Sequence, residues 1–383
     1  MIDFDIPVKE IERRKQVIRD VWEYKKMDHI PIMLSINSNP YGYTMHDELF
    51  SKEKQLKLRL ASIKRTLELV PDDYIPTMFA NVGCVAMENA YGMNMHYGNS
   101  SDQTPSVRGP LLDDIENVYG LKHINPYRDG ILPEFLERIR YFTGQTNFMF
   151  PVTCLDMNGP MAIAMDILGS ETFLLGMYTN PDEIKFLLNF IVDDIVAMTD
   201  ACINEAGGIE NLTCTDFVWE WFPEGRKGHV SDDVCAMYSP QMFKEFAIPV
   251  NNRIFGKYGP GMLHNCGPNP CMEHYLKHSP EIGGADLNFQ YSRPDLPKFR
   301  KVFSHKGIIY LGMGFSSEEQ VIADYQYIID SLAPEVIAIL SVTIDESYIQ
   351  AGLCDVKRLY EKLRLMSEDY AMKVLSGGSF PEL

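Results

Sequence analysis

The segment GMLHNCGPNPC places a histidine and two cysteines close together, which is a pattern suited to metal binding. His264 and Cys266 stand two positions apart at the end of an apolar run, so in a strand both side chains project to the same side. Imidazole and thiolate together suit Zn²⁺, and the ion deprotonates a thiol that it binds. A third ligand could be Cys271, Cys354 or a carboxylate such as Asp345. The alternative is a buried cysteine beside a histidine bonded to a backbone carbonyl.

A second group of polar side chains lies in the loop CTDFVWEWFPEGRKGHVSDDVCAMYSP. Its titratable members are Asp216, Glu220, Glu224, His229, Asp232 and Asp233. Carboxylates in such a loop can bind a cation, orient a ligand hydroxyl or hold a metal-ligand histidine through its other nitrogen. Asp232 and Asp233 are equally well explained as the first turn of a helix that Ser231 caps. We therefore predict a catalytic role for Asp216 and a substrate-binding role for Glu220.

Polar residues also close other apolar runs, at Asn81, Asp156, Asn158 and Asn288. Side chains at the carboxyl ends of barrel strands face the shared pocket, so these four residues are predicted to bind substrate. Asn158-Gly159-Pro160 follows a strand and opens a helix, where free N–H groups accept a polar ligand edge. The glycine is equally explained by close packing. The chain has no Walker loop, no GxGxxG after a first strand, no GxSxG and no HExxH.

The elements that must position these residues alternate between short apolar runs and longer amphipathic segments, as in parallel βα units. We predict eight strands: IPIMLSI near 31–36, YIPTMFANVG (74–83), FMFPVTCLD (148–156), NLTCTDF (211–217), GMLHNC (261–266), GADLNF (284–289), GIIYLGM (307–313) and VIAILSVTI (336–344). This count predicts an α/β fold, a (β/α)₈ TIM barrel with an N-terminal helical extension. Residues 85–147 form an insertion after strand 2. No linker divides the sequence, so one domain over residues 1–383 is expected.

Composition restricts the classes of partner and compartment. The 383 residues carry a net charge of −18 and no long basic tract, which argues against nucleic acid binding. The amino terminus is charged where a secretion signal would be apolar, and no apolar run reaches the length of a membrane span. A cytoplasmic protein without membrane attachment is expected, and its 8 cysteines are expected to be thiols.

Three segments together resemble the uroporphyrinogen decarboxylase superfamily. They are LDMNGPMAIAMDILGSETFLLGMYTNPDEI, the SDD…SP..F.EF..P pattern at 231–249, and LHNCG at 263–267. The resemblance extends over roughly residues 70–345 and implies a (β/α)₈ barrel. One branch of the superfamily decarboxylates porphyrinogens without a cofactor, and another contains zinc-dependent methyltransferases that work with corrinoid proteins and thiols.

The match is better for the methyltransferase branch. The arginine-bearing segment of the decarboxylases corresponds here to IPIMLSINSNPYG, which has no arginine, and their catalytic aspartate falls near MFANVG, which has no acid. The His-x-Cys pair of the methyltransferases is matched by His264 and Cys266, whereas their last-strand cysteine segment is here LSVTIDES. Cys271 is therefore the first substitute as third zinc ligand, and Cys354 the second.

The resemblance implies a zinc-dependent methyltransferase that moves a methyl group between a corrinoid (cobalamin), free or on a carrier protein, and a small thiol or methylated substrate. A uroporphyrinogen decarboxylase-like lyase is the alternative enzyme. A third alternative is a protein that is not an enzyme, a non-catalytic zinc-binding barrel with a closed site. The sequence leaves the third ligand, the direction of transfer, the carrier protein and a homodimer open.

Overall fold

The structure is a computed structural model that describes residues 8–25 and 27–377. Its strands are β1 (Ile32–Asn37), β2 (Gly228–Ser231), β3 (Gly261–Asn265), β4 (Ile282–Asn288), β5 (Ile308–Gly314) and β6 (Ile337–Asp345). Its α-helices are α1 (Val8–Trp22), α2 (Met45–Phe50), α3 (Lys52–Leu69), α4 (Ala86–Ala90), α5 (Leu132–Gln145), α6 (Gly159–Leu168), α7 (Ser170–Thr179), α8 (Pro181–Ala206), α9 (Pro240–Met242), α10 (Ile248–Tyr258), α11 (Tyr275–His278), α12 (Phe289–Ser292), α13 (Leu296–Val302), α14 (Glu318–Leu332), α15 (Glu346–Gln350) and α16 (Val356–Gly377).

All six strands are parallel and lie in the order β1-β6-β5-β4-β3-β2. Past β2 the parallel arrangement continues through single bridges, Val152 with Leu212 and Met78 with Val152. The N–H of Thr215 donates to the carbonyl of Lys227 and connects this part to β2. The predicted (β/α)₈ barrel fold is therefore confirmed. Within the described residues no backbone ladder joins β1 to the Met78 segment, and a cavity lies between them.

Five of the eight predicted strands form regular ladders, and three are reduced to single bridges. Pro76 and Pro151 explain two of these, because proline has no N–H to donate to a ladder. In the third, the hydroxyl of Thr215 accepts from the N–H of His229, so a side chain replaces a backbone partner. β2 was not predicted, and its residues were expected to lie in a loop. Its residues are all buried although two of the four are polar, so no apolar run marks the strand.

The N-terminal helical extension is α1, which covers the end of the barrel opposite to the carboxyl ends of the strands. Trp22 is buried, and its indole N–H donates to the Tyr310 hydroxyl of β5 at 3.1 Å. Arg19 makes two hydrogen bonds of 2.8 Å with the Glu224 carboxylate. The helix therefore adds a tryptophan and an ion pair to the barrel floor.

The predicted insertion after strand 2 contains α4, α5 and the 3₁₀ turn Ile115–Gly120. Its buried Arg138 donates to the backbone carbonyls of Asn81 at 2.6 Å and Glu48 at 3.1 Å. Because Asn81 ends the second strand segment, the insertion fixes one side of the barrel mouth.

Serine and glycine residues mark several helix ends. Ser51, Ser239 and Ser317 each accept a backbone N–H at the start of a helix, and Gly207 ends α8 in the left-handed region at φ 77°. All 8 cysteines are thiols without disulfide partners. No single described helix is long and apolar enough to cross a membrane, and only α6 with α7, bent by 105°, passes that test as a pair.

Candidate functional site

His264 and Cys266 meet at the carboxyl end of β3. His264 is the next-to-last residue of the strand, and Cys266 follows the strand directly. The Nε2 atom of His264 lies 3.5 Å from the Cys266 sulfur, and both side chains are only partly exposed. The sequence spacing therefore does place the imidazole and the thiol side by side.

Asp233 brings a carboxylate to the same place. It opens the 3₁₀ turn Asp233–Ala236, just after β2, and β2 is hydrogen bonded to β3. One carboxylate oxygen accepts the N–H of Cys266 at 2.6 Å, and the other lies 3.8 Å from Nε2 of His264. The nitrogen, the sulfur and the oxygen all lie within 4.8 Å of one another.

This donor set fits a zinc ion. Ligand atoms about 2.0–2.3 Å from one tetrahedral ion are separated from each other by roughly 3.3–3.7 Å. The distances of 3.5 Å and 3.8 Å from Nε2 of His264 are close to that range. Cys266 and Asp233 are both accessible, and only these two residues join His264 in this group among the described residues. Three protein ligands leave a fourth position for substrate or water, as in catalytic zinc sites.

The other ring nitrogen of His264 is held by a buried carboxylate. Nδ1 lies 2.8 Å from the Asp286 carboxylate, because His264 on β3 and Asp286 on β4 are register partners. The same carboxylate oxygen lies 3.5 Å from Nε2 of His229, whose Nδ1 is 3.1 Å from Asp216. A carboxylate on the far nitrogen fixes the ring of a metal-binding histidine and raises its basicity. Asp286 fills that role, and Asp216 supports it through His229.

Burial and the two imidazoles oppose each other at Asp286. Burial alone would raise the pKa of its carboxyl, but the imidazoles of His264 and His229 outweigh this and lower that pKa. The effect on His264 is reciprocal. Burial would lower its pKa, and the carboxylate of Asp286 together with Cys266 and Asp233 raises it well above the usual value.

Two other carboxyls at the mouth titrate near neutrality. Burial, followed by the negative charge of Asp286, raises the pKa of Glu220 to about 7. Burial, followed by the charge of Asp216, raises the pKa of Asp156 to about 7. Both carboxyls can therefore exist as acid or as base close to pH 7.

A cavity of about 300 Å³ opens next to the thiol and the imidazole. Its walls include Phe217, Trp219, Glu220, His264, Cys266 and Asn288. A second cavity of about 390 Å³ lies between β1 and the second strand segment. The two share the residues Trp219, Glu220, Ser341 and Thr343, and we call them the thiol cavity and the seam cavity. A ligand at the barrel mouth thus has two adjoining compartments.

Three of the five predicted substrate-binding residues line these compartments, and Asp156 and Asn158 line neither. Glu220 borders both, Asn288 lines the thiol cavity, and Asn81 lines the seam cavity. Asp156 is partly exposed. It lies near enough to His264 and His229 for their charges to limit the rise of its pKa. The predicted catalytic residue Asp216 is buried behind His229 and lines neither cavity, so it acts by positioning.

Asn158 and Gly159 serve the packing at the start of α6, where Gly159 lies against the end of β2. The Asn158 amide donates to the carbonyl of Cys84 at 2.7 Å, and both residues have left-handed backbone angles, φ 54° and 79°. A Cβ atom on Gly159 would lie 1.9 Å from the carbonyl oxygen of Ser231. Of the two explanations for this glycine, close packing is the one that the geometry supports.

The predicted third ligand, Cys271, is not brought to the site. Its side chain is fully buried, and its sulfur faces the carbonyls of Cys235 at 3.5 Å and Tyr238 at 3.9 Å. The reason is the turn before it, in which Asn269 donates its N–H to Asp295 and accepts the N–H of Cys271. The turn directs the thiol into the core, and Asp233 occupies the expected place.

The other candidates for a third ligand also lie elsewhere. Cys354 is buried beside Glu318, and the Asp345 carboxylate accepts the N–H of Ser347 as the cap of α15. The residue that sequence reasoning missed is Asp286. Its signal in the sequence is an acidic residue inside the apolar strand GADLNF, two residues before Asn288.

Comparison with known proteins supports the same fold. The model of the uroporphyrinogen decarboxylase (URO-D) family matches residues 50–222. The structure is similar to that of a methyltransferase from Methanosarcina mazei, with a TM-score of 0.66 and 15% sequence identity over 94% of this chain and 98% of that chain. No curated protein matches the chain. A structural likeness at this identity establishes the barrel alone. The family match covers α3 to α8, so this part of the chain is similar to the uroporphyrinogen decarboxylase family, and the structural match extends the same barrel over nearly the full length of both chains.

Proposed function

We propose that this protein is a zinc-dependent methyltransferase that transfers a methyl group between a corrinoid, free or on a carrier protein, and a small thiol or methylated substrate. The observation that carries the proposal is the open three-ligand site of His264, Cys266 and Asp233 beside a cavity. The M. mazei structure, a methyltransferase by its name, supports it by its fold. When bound, zinc supplies Lewis acidity that lowers the pKa of a thiol and makes it a nucleophile at neutral pH.

The side chains around the ligands define what the protein itself does. Asp286 holds the ring of His264, so that Nε2 faces the thiol and carboxylate of the other two ligands. Phe217 packs edge-on against the His264 ring at 5.5 Å and shields it from water. Glu220 and Asn288 on the cavity wall orient the substrate. This division leaves the ligand cluster rigid and the cavity free for the reacting molecule.

The geometry does not favour the alternative functions. Within the thiol cavity, whose wall is fully described, there is no arginine or lysine to hold the carboxylates of a porphyrinogen. A closed structural zinc site needs four protein ligands, whereas three donor atoms are grouped here. Both observations favour the methyltransferase over the lyase and the non-catalytic barrel.

The test is methyl transfer from methylcobalamin to a panel of thiols, measured together with the zinc content of the purified protein. We expect about one zinc per chain and transfer by the wild type. His264→Ala and Cys266→Ser should lose the metal and reduce the rate at least 100-fold, as expected for loss of a metal ligand.

The control is Cys354→Ser, which changes a cysteine far from the site. It should retain both zinc and activity. Unchanged methyl transfer in the His264 and Cys266 variants would refute the proposed site, and a zinc-free active wild type would refute the metal.

A further inference from the structure

The seam cavity has walls that suit a small organic cation. Aromatic rings of Tyr74, Phe79, Trp219 and Trp221 border it, and most of its surface is apolar. Phe79 and Trp219 pack edge-to-face with ring centres 5.7 Å apart. Aromatic faces attract ammonium-type cations through the ring quadrupole, and this attraction is strongest for tryptophan. A cavity of about 390 Å³ falls within the usual range for small-molecule sites.

The charged groups of the seam cavity favour a positive ligand. Glu48 and Glu220 contribute two carboxyls, and Arg59 contributes one guanidinium. The Nε of Arg59 donates to the carbonyl of Thr77 at 3.0 Å. Burial raises the pKa of Glu48 to about 6, and the charges of Arg59 and Arg138 limit that rise. The two carboxyls outnumber the one guanidinium, so the cavity has one carboxyl in excess. A cation would neutralise it in a partly desolvated place, where an unpaired charge is costly.

Glu220 stands at the junction of the two compartments. Its Oε1 atom accepts hydrogen bonds from the Ser341 hydroxyl at 2.6 Å and the Trp219 indole at 2.8 Å. These bonds hold the carboxyl against the aromatic wall. His264 and Cys266 also line the thiol cavity. A cation bound beside Glu220 therefore lies in the compartment next to the proposed zinc ligands.

We propose that the seam cavity binds the methyl donor, and that the donor is a methylated onium cation, such as a quaternary ammonium ion. The assignment rests on the proposed methyltransferase function and names its substrate class. In the transfer, the bond between methyl carbon and nitrogen breaks and its electron pair stays on nitrogen, so a neutral amine leaves. The methyl carbon bonds to the acceptor, the cobalt(I) of a corrinoid, which supplies the new electron pair. No proton and no further oxidant or reductant are needed.

Calorimetric titration of the full chain with choline and with its uncharged isostere 3,3-dimethyl-1-butanol tests the assignment. The two molecules have nearly the same shape, so a difference in affinity measures recognition of the charge. We expect choline to bind at least tenfold more tightly. Glu220→Gln should remove most of this preference, and Phe79→Leu, which keeps an apolar wall without the ring, should weaken choline binding about fivefold or more.

The matched control is Glu319→Gln, which removes an equal charge from the exposed first turn of α14. It should leave both affinities unchanged. Equal affinity for choline and the isostere, or choline affinity unaffected by both Glu220→Gln and Phe79→Leu, would overturn the assignment. Circular dichroism checks the folding of each variant.

The same titration separates this inference from the proposed function, because binding to the seam cavity does not need the metal. His264→Ala should bind choline as the wild type does. Choline binding without any methyl transfer would refute the proposed function alone. Methyl transfer from methylcobalamin to a thiol without choline binding would refute the donor assignment alone.

Discussion

His264 uses its two ring nitrogens for different purposes. Nδ1 is 2.8 Å from Asp286, and Nε2 is turned toward Cys266 and Asp233. An alternative grouping of His264 with His229 and Asp286 also has close donor atoms. The short contact with Asp286 already occupies Nδ1, so that grouping is better explained as the support for the ring than as a second ion site.

The identity of the third ligand gives a prediction at the same scale. Asp233→Ala should reduce zinc affinity at least tenfold, because it removes the carboxylate near Nε2 of His264. Cys271→Ser should retain wild-type affinity, since the Cys271 thiol points into the core. Competition with a chromogenic chelator measures both affinities. Loss of zinc in Cys271→Ser with retention in Asp233→Ala would reverse the assignment.

The sequence predicted two ligands of this site and not the third. His264 and Cys266 are neighbours on one strand, where spacing alone places the side chains together. Asp233 reaches them from another strand, and its approach depends on a β2 that the polar sequence GHVS does not reveal. Cys271 was predicted because it is close to Cys266 along the chain. The turn of four residues between them directs its thiol away from the site.

At the scale of elements, strand register assembles the site. Ser231, His264 and Asp286 are successive partners across β2, β3 and β4. A shift of one residue would turn the imidazole and the carboxylate to opposite faces of the sheet. At the start of this ladder the backbones of β2 and β3 approach each other unusually closely. A Cβ atom on Gly261 would lie 1.5 Å from the carbonyl oxygen of Gly228. The two glycines therefore fix how near β2 and β3 approach each other.

Gly261→Ala should destabilise the protein by about 3 kcal/mol or more, because the added methyl group cannot fit without moving the backbone of β2. It should also weaken zinc binding, since Asp233 follows β2. The control is Gly256→Ala on the exposed face of α10, where nothing lies within 4 Å of the new Cβ. That change should stabilise the helix by about 0.5–1 kcal/mol. Urea unfolding measures both, and equal stabilities would contradict the close approach.

Most elements were predictable because their signals are local. Serine caps, the glycine after α8 and the apolar runs of β3 to β6 mark their own boundaries. The segments around Met78 and Val152 were predicted as strands from the same kind of run. Pro76 and Pro151 limit their pairing to single bridges, because each proline removes one N–H donor from the ladder.

At the scale of the whole molecule, the chain has 53 acidic residues, and some of their carboxyls are buried. Fully buried Glu88 lies near Asp166 and Asp156, and burial, followed by the charge of Asp166, raises its pKa from 4.5 to about 8. The protein therefore carries a carboxyl that is protonated in the folded state and ionised in the unfolded state near neutral pH.

This difference makes stability depend on pH. Between pH 4.5 and about 8 the unfolded chain loses the Glu88 proton and the folded protein keeps it, so the free energy of unfolding falls as pH rises. Glu88→Gln has no proton to lose. Its stability relative to wild type should be near zero at pH 4.5 and rise to at most about 4–5 kcal/mol at pH 8. Denaturant unfolding at both pH values checks this, and a constant difference would contradict a raised pKa.

The family match and the candidate site occupy different parts of the chain. The matched residues 50–222 end before β2, whereas His264, Cys266 and Asp233 follow it. The similarity to the family therefore concerns the first part of the barrel, and the proposed chemistry depends on strands that the match does not include.

The contact between Gly159 and Ser231 links a helix that holds no ligand to the placement of one. Any side chain at position 159 must push the end of β2 outward, and Asp233 is attached two residues further on. Selection of a mutant library for zinc retention should consequently return glycine at this position, even though glycine has no side chain to bind the metal. Clearance from the backbone of Ser231, and not metal coordination, determines which residue fits at this position.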